Sequence, residues 1–322
     1  MTHFEIVKYL VEHGADINRP NYNGGTCLIN SVQSAHLCDF LLKHGADVNA
    51  RDIQNKTALH YAIQEHRYTI SCLFSLNNVF NYRLETTKLL LKNGANYDAK
   101  SRYGDDALQM ACLKGAIRIF DYLTANICYT NEKLANAHEL MGATLLEEHS
   151  DAVVALYHWR KGLLCRQNHG LLPKQPIREP REGYRYQKEF ETMEELDNIA
   201  TDLDLIRTQS LIMAERILGP HHKDTIFRLM YRGAAYADML RYQRCIDLWR
   251  RALEIRVEKD SILYTDTCFT AQALVRQMVD YNEKTVPKNE DDAKQRFHDV
   301  VCTFKLITKD ILGIIFSLNS QS

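Results

Sequence analysis

Three groups of side chains in this 322-residue chain have the types and spacing to do chemistry. His221, His222 and Asp224 could ligate a metal, but they share one inter-helix turn after Gly219-Pro220, with no second ligand pair at zinc spacing. A solvated turn is the expected reading. Cys112 and Cys128 could act as nucleophiles, yet neither has a base beside it, and both read as packing thiols. The acid pairs Glu147-Glu148 and Asp291-Asp292 read as helix-surface or cap residues. No phosphate-cradling glycine loop, serine elbow or zinc-protease helix motif occurs. His60 sits in a repeat signature, where it is expected to bond a turn backbone. The expectation is a non-catalytic chain with no metal and no cofactor.

What remains is binding, and three copies of one phrase indicate the platform. Tyr9 to Asp16, Phe40 to Asp47 and Leu90 to Asn96 each run from an apolar helix end to Gly-Ala-Asp or Gly-Ala-Asn. Gly14, Gly45 and Gly94 supply the left-handed residue that stops the helix, where a Cβ would clash. This is the ankyrin pattern, with a unit of about 33 residues. Such units stack helix pairs and project turn fingers, leaving a concave face for proteins or peptides. There the finger tips supply Tyr22 and Asn23, Asp52 and Asn55, Arg102 and Tyr103. The inner helices add Asn30, Gln33, Tyr61, Gln64 and Glu65. For most of these taken singly, a solvated surface position is the commoner role.

The ankyrin array is assigned to residues 1–128. Its first unit is only a second helix, Phe4 to Glu12, so the natural chain is expected to extend upstream. Units follow at 18–47, two residues short near Gln33-Ser34-Ala35, then at 48–96 and 97–123. Gly45 to Gly94 is 49 residues, against 31 from Gly14 to Gly45. Removing residues 69–84 joins Tyr68 to Glu85, where the second helix is expected to resume, and restores the period. That segment is apolar and aromatic, unlike an evolved surface loop. Two readings stand, a functional loop grafted on a repeat edge and, preferred, translated intron or mis-joined coding sequence; the apolar end from Ile311 to Leu318 supports the second.

From Glu132 the pattern stays helical but changes type. Residues 129–166 read as a tetratricopeptide-like helix pair. One apolar face is Ala135, Leu140, Met141, Ala143, Leu145 and Leu146, and the other Val153, Val154, Leu156, Tyr157, Trp159, Leu163 and Leu164. Gly142 sits where the two helices need close approach. Residues 167–191 form a proline-bearing, extended connector with Pro173, Pro176 and Pro180, and the basic run from Arg178 to Lys188 reads as solvated. Residues 192–284 hold further tetratricopeptide-like helices. One spans Leu203 to Leu218 and is stopped by Gly219-Pro220, with Asp224 or Thr225 capping the next. Gly233 and Ala234 are expected to admit a neighbouring helix, with Tyr236 and Tyr242 filling the groove. Residues 285–322 add a last helix and tail, whose Phe297, Val300, Val301, Phe304 and Ile307 are expected in the core.

Bulk properties agree with an all-α helical-repeat solenoid, ankyrin repeats followed by tetratricopeptide-like pairs. A formal net charge of −1 gives no global attraction to nucleic acid or to an anionic membrane. No apolar run approaches the ~18 residues of a membrane span. Nine cysteines without a C-x-x-C pair read as reduced core thiols, and the expected location is cytoplasmic or nuclear.

Residues 214–225, then Tyr231 to Asp238, then Arg244 to Trp249 resemble the middle region of the Fem (feminization, fem-one) homologues. The A-H-E-L-M-G-A of residues 137–143 is similar to the family's A-L-E-L-L-G-A, and Thr26-Cys27-Leu28 to the T-C-L of its array. The resemblance covers about Met1 to Lys284, apart from residues 69–84. It implies a substrate receptor of a cullin-two RING ubiquitin ligase, whose ankyrin array grips a C-terminal peptide degron, often ending in arginine. Elongin and cullin-two are then engaged through a further region, absent from this chain. An acidic pocket residue of the family precedes the helix that begins at Phe4, where this chain has Met1-Thr2. No degron-binding or ligase-docking residue is therefore carried over. The alternative is a ligase-independent scaffold joining two protein partners.

Overall fold

The computed structural model describes the backbone of residues 3–64, 77–167, 172–174, 180–260 and 262–319, and their side chains apart from 3, 77–82 and 309–319. Among the described residues all regular structure is helical, and the chain divides into two compact units, residues 1–172 and 173–322. No described helix is long and apolar enough to cross a membrane.

The first unit opens with α1 (His3–Glu12), α2 (Cys27–Asn30), α3 (Ala35–Lys43), α4 (Ala58–Gln64), α5 (Asn77–Lys92), α6 (Ala107–Leu113) and α7 (Ile117–Asn126). Three helix ends are built alike. Ala15, Ala46 and Ala95 each donate at 3.0 Å to Leu10, Leu41 and Leu90 O. Gly14, Gly45 and Gly94 sit at φ of 85°, 89° and 84°. Each is a Schellman stop. The following Asp16, Asp47 and Asn96 accept from the backbone N–H two residues on, which turns the chain toward the next finger. The shortened second unit explains the four-residue α2: Thr26 caps its start, and Ser34 already caps α3. α5 begins at Asn77, eight residues before the Glu85 expected from the repeat period, so the helix takes in the last part of the 69–84 segment. Residues 69–76 lie outside the described residues.

The unit ends in α8 (Asn131–His149) and α9 (Ala152–Gln167). Their contact depends on Gly142. A Cβ there would stand 2.6 Å from the Trp159 ring, whose Nε1 donates to Glu139 O at 3.0 Å. The apolar face expected on α9 is half wrong. Trp159 and Leu163 are buried, but Val153, Tyr157 and Leu164 are exposed. The buried stripe instead recruits Ala155, His158, Gly162 and Arg166, because the facing helix offers Glu139 and His138 as partners. Burial pushes both His138 and His158 down to about 4, so this pair, joined Nδ1 to Nδ1 at 3.0 Å, is neutral at neutral pH. Cys112 is fully buried and donates to Ala137 O, as a packing thiol should; Cys128 is exposed, because it lies in the loop after α7. Cys27 is exposed as well, and Glu147, read as surface, is buried.

The second unit contains α10 (Met193–Ile199), α11 (Leu203–Leu218), α12 (Lys223–Asp238), α13 (Tyr242–Lys259), α14 (Thr265–Lys284) and α15 (Glu290–Asn319). The device of the first unit recurs here. Gly233 lies under the Trp249 ring, and Trp249 Nε1 donates to Met230 O at 2.9 Å. In both pairs the accepting carbonyl belongs to the residue three before the glycine. Both tryptophans of the chain are used this way. Tyr236 and Tyr242 are buried as expected, whereas Ala234 is exposed, because Gly233 alone faces α13.

Three expectations fail in this unit. The connector is not a free linker: Lys174, Tyr184 and Phe190 are buried, with Gln209 holding Phe190 N and Lys188 O. Tyr184 and Arg251 converge on Glu215, the Arg251–Glu215 contact being 2.6 Å. Burial raises the Glu215 carboxyl, but the Arg251 hydrogen bond and charge outweigh it and hold it below the ordinary value. The cap of α12 is His222, which accepts from Asp224 N, and neither Asp224 nor Thr225. His222 is buried, so the turn is not simply solvated. Finally, α15 is inverted. Phe297 and Phe304 are 71% and 66% exposed, with Val300 also exposed. The buried side is Arg296, Asp299 and Thr303, drawn inward because α13 presents Arg250, 2.7 Å from Asp299, and α14 presents Tyr281 to Arg296. Ile307 does pack against the apolar cluster of α13 and α14.

Candidate functional site

The fingers of the ankyrin units are five-residue turns with one design: residues 21–25, 52–56 and 101–105. In each, the first residue donates its N–H to the fifth carbonyl, at 3.0, 3.0 and 2.9 Å. The fourth residue closes back on the first, and is left-handed: Gly24 at 76°, Asn55 at 56°, Gly104 at 88°. A side-chain oxygen at the first position (Asn21 Oδ1, Asp52 Oδ1, Ser101 Oγ) accepts from the third and fifth backbone N–H groups. The fingers are laced together by Ile53 N donating to Asn23 O at 3.1 Å and Arg102 N to Gln54 O at 2.8 Å.

His60 locks this row. Its Nδ1 accepts from Thr57 N at 3.2 Å, so Nε2 carries the proton and donates to Asp105 O at 3.1 Å. Burial lowers its pKa, consistent with a neutral structural imidazole.

Between the first two fingers lies a cleft of about 260 Å³. It gathers five of the eleven residues assigned from sequence: Asn23, Asn30, Gln33, Asp52 and Tyr61. Tyr61 donates its hydroxyl to Asp52 Oδ2 at 2.5 Å, and Lys56 Nζ lies 5.4 Å from the Tyr61 ring centre. Gln64 is beside the cleft, accepting from Lys56 Nζ. Tyr22, Arg102 and Tyr103 stand on exposed finger tips, with Tyr22 93% exposed. Asn55 serves its turn geometry. Glu65 lies outside the described residues.

Four further residues escape the sequence pattern. Asn21 lines the cleft at the first position of its finger, and Ile53 is an exposed apolar tip beside Asn23. Asn18 and Asn49 each clamp one unit to the next. Asn18 donates to Gly45 O and accepts from Asp47 N, and Asn49 does the same with Gly94 O and Asn96 N. The signal for the two clamps is an Asn two residues after each Gly-Ala-Asp. At the third position the residue is Asp98, which pairs instead with Lys133 of α8 at 2.7 Å, where the array hands over to the next helix pair. Among the described residues no group of three or more His, Cys, Asp or Glu side chains is placed to hold a metal.

Comparison with known proteins agrees with this architecture. Ankyrin-repeat patterns match residues 1–79 and 82–124. The chain is 34% identical over 259 residues to protein fem-1 homolog A-like of Mus musculus, covering 79% of this chain and 37% of that protein. It is 38% identical over 239 residues to a fem-1 homologue of Drosophila melanogaster, covering 71% and 35% respectively. Against fem-1 homolog C of Xenopus laevis the identity is 39% over 159 residues, 49% of this chain and 26% of that protein. The chain thus spans between about a quarter and little more than a third of the length of these relatives. It is a protein-binding repeat protein in its architecture, and it belongs to the fem-1 homologue family of ankyrin-repeat proteins.

Proposed function

We propose that this chain is the recognition part of a substrate receptor for a cullin-two RING ubiquitin ligase, gripping the C-terminal segment of its substrates on the concave ankyrin face. The observation that carries the recognition half is the cleft itself: a rigid, hydrogen-bonded row of fingers with polar side chains converging beside the inner helices. Such a surface offers preorganised contacts to an extended peptide, which limits the ordering cost of binding. The ligase half rests on the fem-1 relatives and on the residue-level resemblance through residues 214–249. Selection of random peptides displayed with free C-termini tests the recognition half. A recurrent C-terminal motif, lost when the terminal carboxylate is amidated, is expected; a chain that selects nothing contradicts the proposal.

A second reading, a scaffold joining two proteins, is favoured by one feature of the second unit. α14 and α15 leave a groove of about 640 Å³ lined by Val275, Val279 and Ile307, with Val275 and Val279 exposed. An apolar groove of that kind suits a partner helix.

A further inference from the structure

The cleft between the first two fingers has a more specific chemistry, which rests on the peptide-binding reading and deepens it. Its polar side chains are four carboxamides, Asn21, Asn23, Asn30 and Gln33, around one carboxylate, Asp52, and one phenol, Tyr61. The carboxylate is already engaged. Asp52 Oδ1 accepts from Gln54 N at 2.9 Å and Lys56 N at 2.8 Å, while Oδ2 accepts from the Tyr61 hydroxyl. A carboxylate offers about four acceptor sites. Three are filled, so a guanidinium cannot engage both oxygens in the two-pronged manner that makes such pairs strong. The Lys56 ammonium, held beside the Tyr61 ring and Gln64, further disfavours a second cation.

The carboxamides are arranged differently. Asn21 spends its Oδ1 on the N–H groups of Asn23 and Gly25, which leaves its Nδ2 as a donor. Asn30 spends its Nδ2 on Thr26 O at 3.0 Å, which leaves its Oδ1 as an acceptor. Among the described residues neither of these remaining atoms has a protein partner. Both side chains line the cleft beside Gly25, where a Cβ would stand 3.3 Å from the Asn21 amide atoms and 3.3 Å from Asn30 Nδ2. The cleft thus holds one donor and one acceptor on two neighbouring carboxamides beside a residue with no side chain, with Asn23 and Gln33 also in its lining.

We infer that this cleft takes a neutral carboxamide, the side chain of an Asn or Gln in an extended peptide. The ligand carbonyl accepts from Asn21 Nδ2, and the ligand amide donates to Asn30 Oδ1. Planarity and complementary polarity select the group; the engaged carboxylate and Lys56 reject a cationic one. Discrimination of this kind follows because a wrong group leaves polar atoms of the site unpaired.

The test uses the displayed peptides on the full chain and on two variants, Gly25→Ala and Asn30→Asp. Gly25 is not in the left-handed region, so alanine places a methyl between the two amides without backbone strain. The expected result is a preference for Asn or Gln at one position of the motif, and a loss of about tenfold in affinity for the selected peptide in Gly25→Ala, on the scale of one hydrogen bond. Asn30→Asp is isosteric and charged, and is expected to move the preference at that position toward Lys or Arg. Unchanged helix melting in each variant assigns the effect to the cleft. A motif with no position that prefers Asn or Gln, or one indifferent to both substitutions, overturns the inference while leaving peptide binding intact. No motif at all contradicts the peptide-binding reading and this inference together.

Discussion

Replacing Glu139 by alanine is expected to destabilise the first unit by about 3–5 kcal/mol. Glu139 is fully buried on α8, and Arg166 of α9 is 4% exposed. The two meet in a bidentate pair, Nε to Oε1 at 2.7 Å and Nη2 to Oε2 at 2.9 Å. Arg166 also reaches Asn136 Oδ1 at 2.7 Å. The packing makes room for this: a Cβ on Gly162 would stand 3.0 Å from Glu139 Cγ. Removing the carboxylate leaves a guanidinium in a site built to exclude water, and the cost is mostly that orphaned charge. Replacing both partners with methionine is therefore expected to recover much of the loss, because two apolar side chains need no partner. Urea unfolding followed by Trp159 fluorescence in a Trp249→Phe background reads the first unit alone. A single-variant loss under about 1 kcal/mol, the range of an exposed pair, contradicts the assignment.

Gly233→Ala is expected to cost the second unit about 2–4 kcal/mol. The added methyl falls on the Trp249 indole, and overpacking of this kind costs about 1–3 kcal/mol. Displacing the ring also breaks its hydrogen bond to Met230 O, worth about 1 kcal/mol. The flexible end of a lysine could move aside, but an indole packed between helices has nowhere to go. Thermal melting with tryptophan emission as the readout is expected to show a lower midpoint and a red-shifted Trp249 component. Gly142→Ala should reproduce the effect through Trp159, since the geometry repeats. An unchanged melt in both variants contradicts the close-approach account of these helix pairs.

The parts of this structure legible in sequence are those fixed by local backbone chemistry. Gly14, Gly45 and Gly94 announce helix stops because only one conformation closes the Schellman bonds there, and the stops announce the stack. Gly142 is legible because a glycine between Met141 and Ala143, on the apolar side of a helix, needs a packing reason. Five cleft residues are legible because the repeat fixes which positions face inward.

The failures share another origin. Phe297, Val300 and Phe304 make α15 amphipathic, but periodicity does not say which face is buried when the neighbour offers Arg250 and Tyr281. Arg166 and His158 enter the α9 stripe for the same reason: their partners lie 20 or more residues away, and no local pattern records them. The connector reads as solvated when its polar residues are counted singly. In the fold, Lys174 pairs with Glu189 at 2.8 Å and Gln209 satisfies two backbone groups at once.

The central claim, that the concave ankyrin face is the ligand site, is tested most directly by amide hydrogen exchange of the chain with and without a saturating peptide from the display selection. Protection is predicted within residues 21–33 and 52–64, which carry the first two fingers and α2 and α4, with α14 and α15 unchanged. Protection confined to residues 265–307, around the Val275 and Val279 groove, would contradict the claim and place recognition in the second unit.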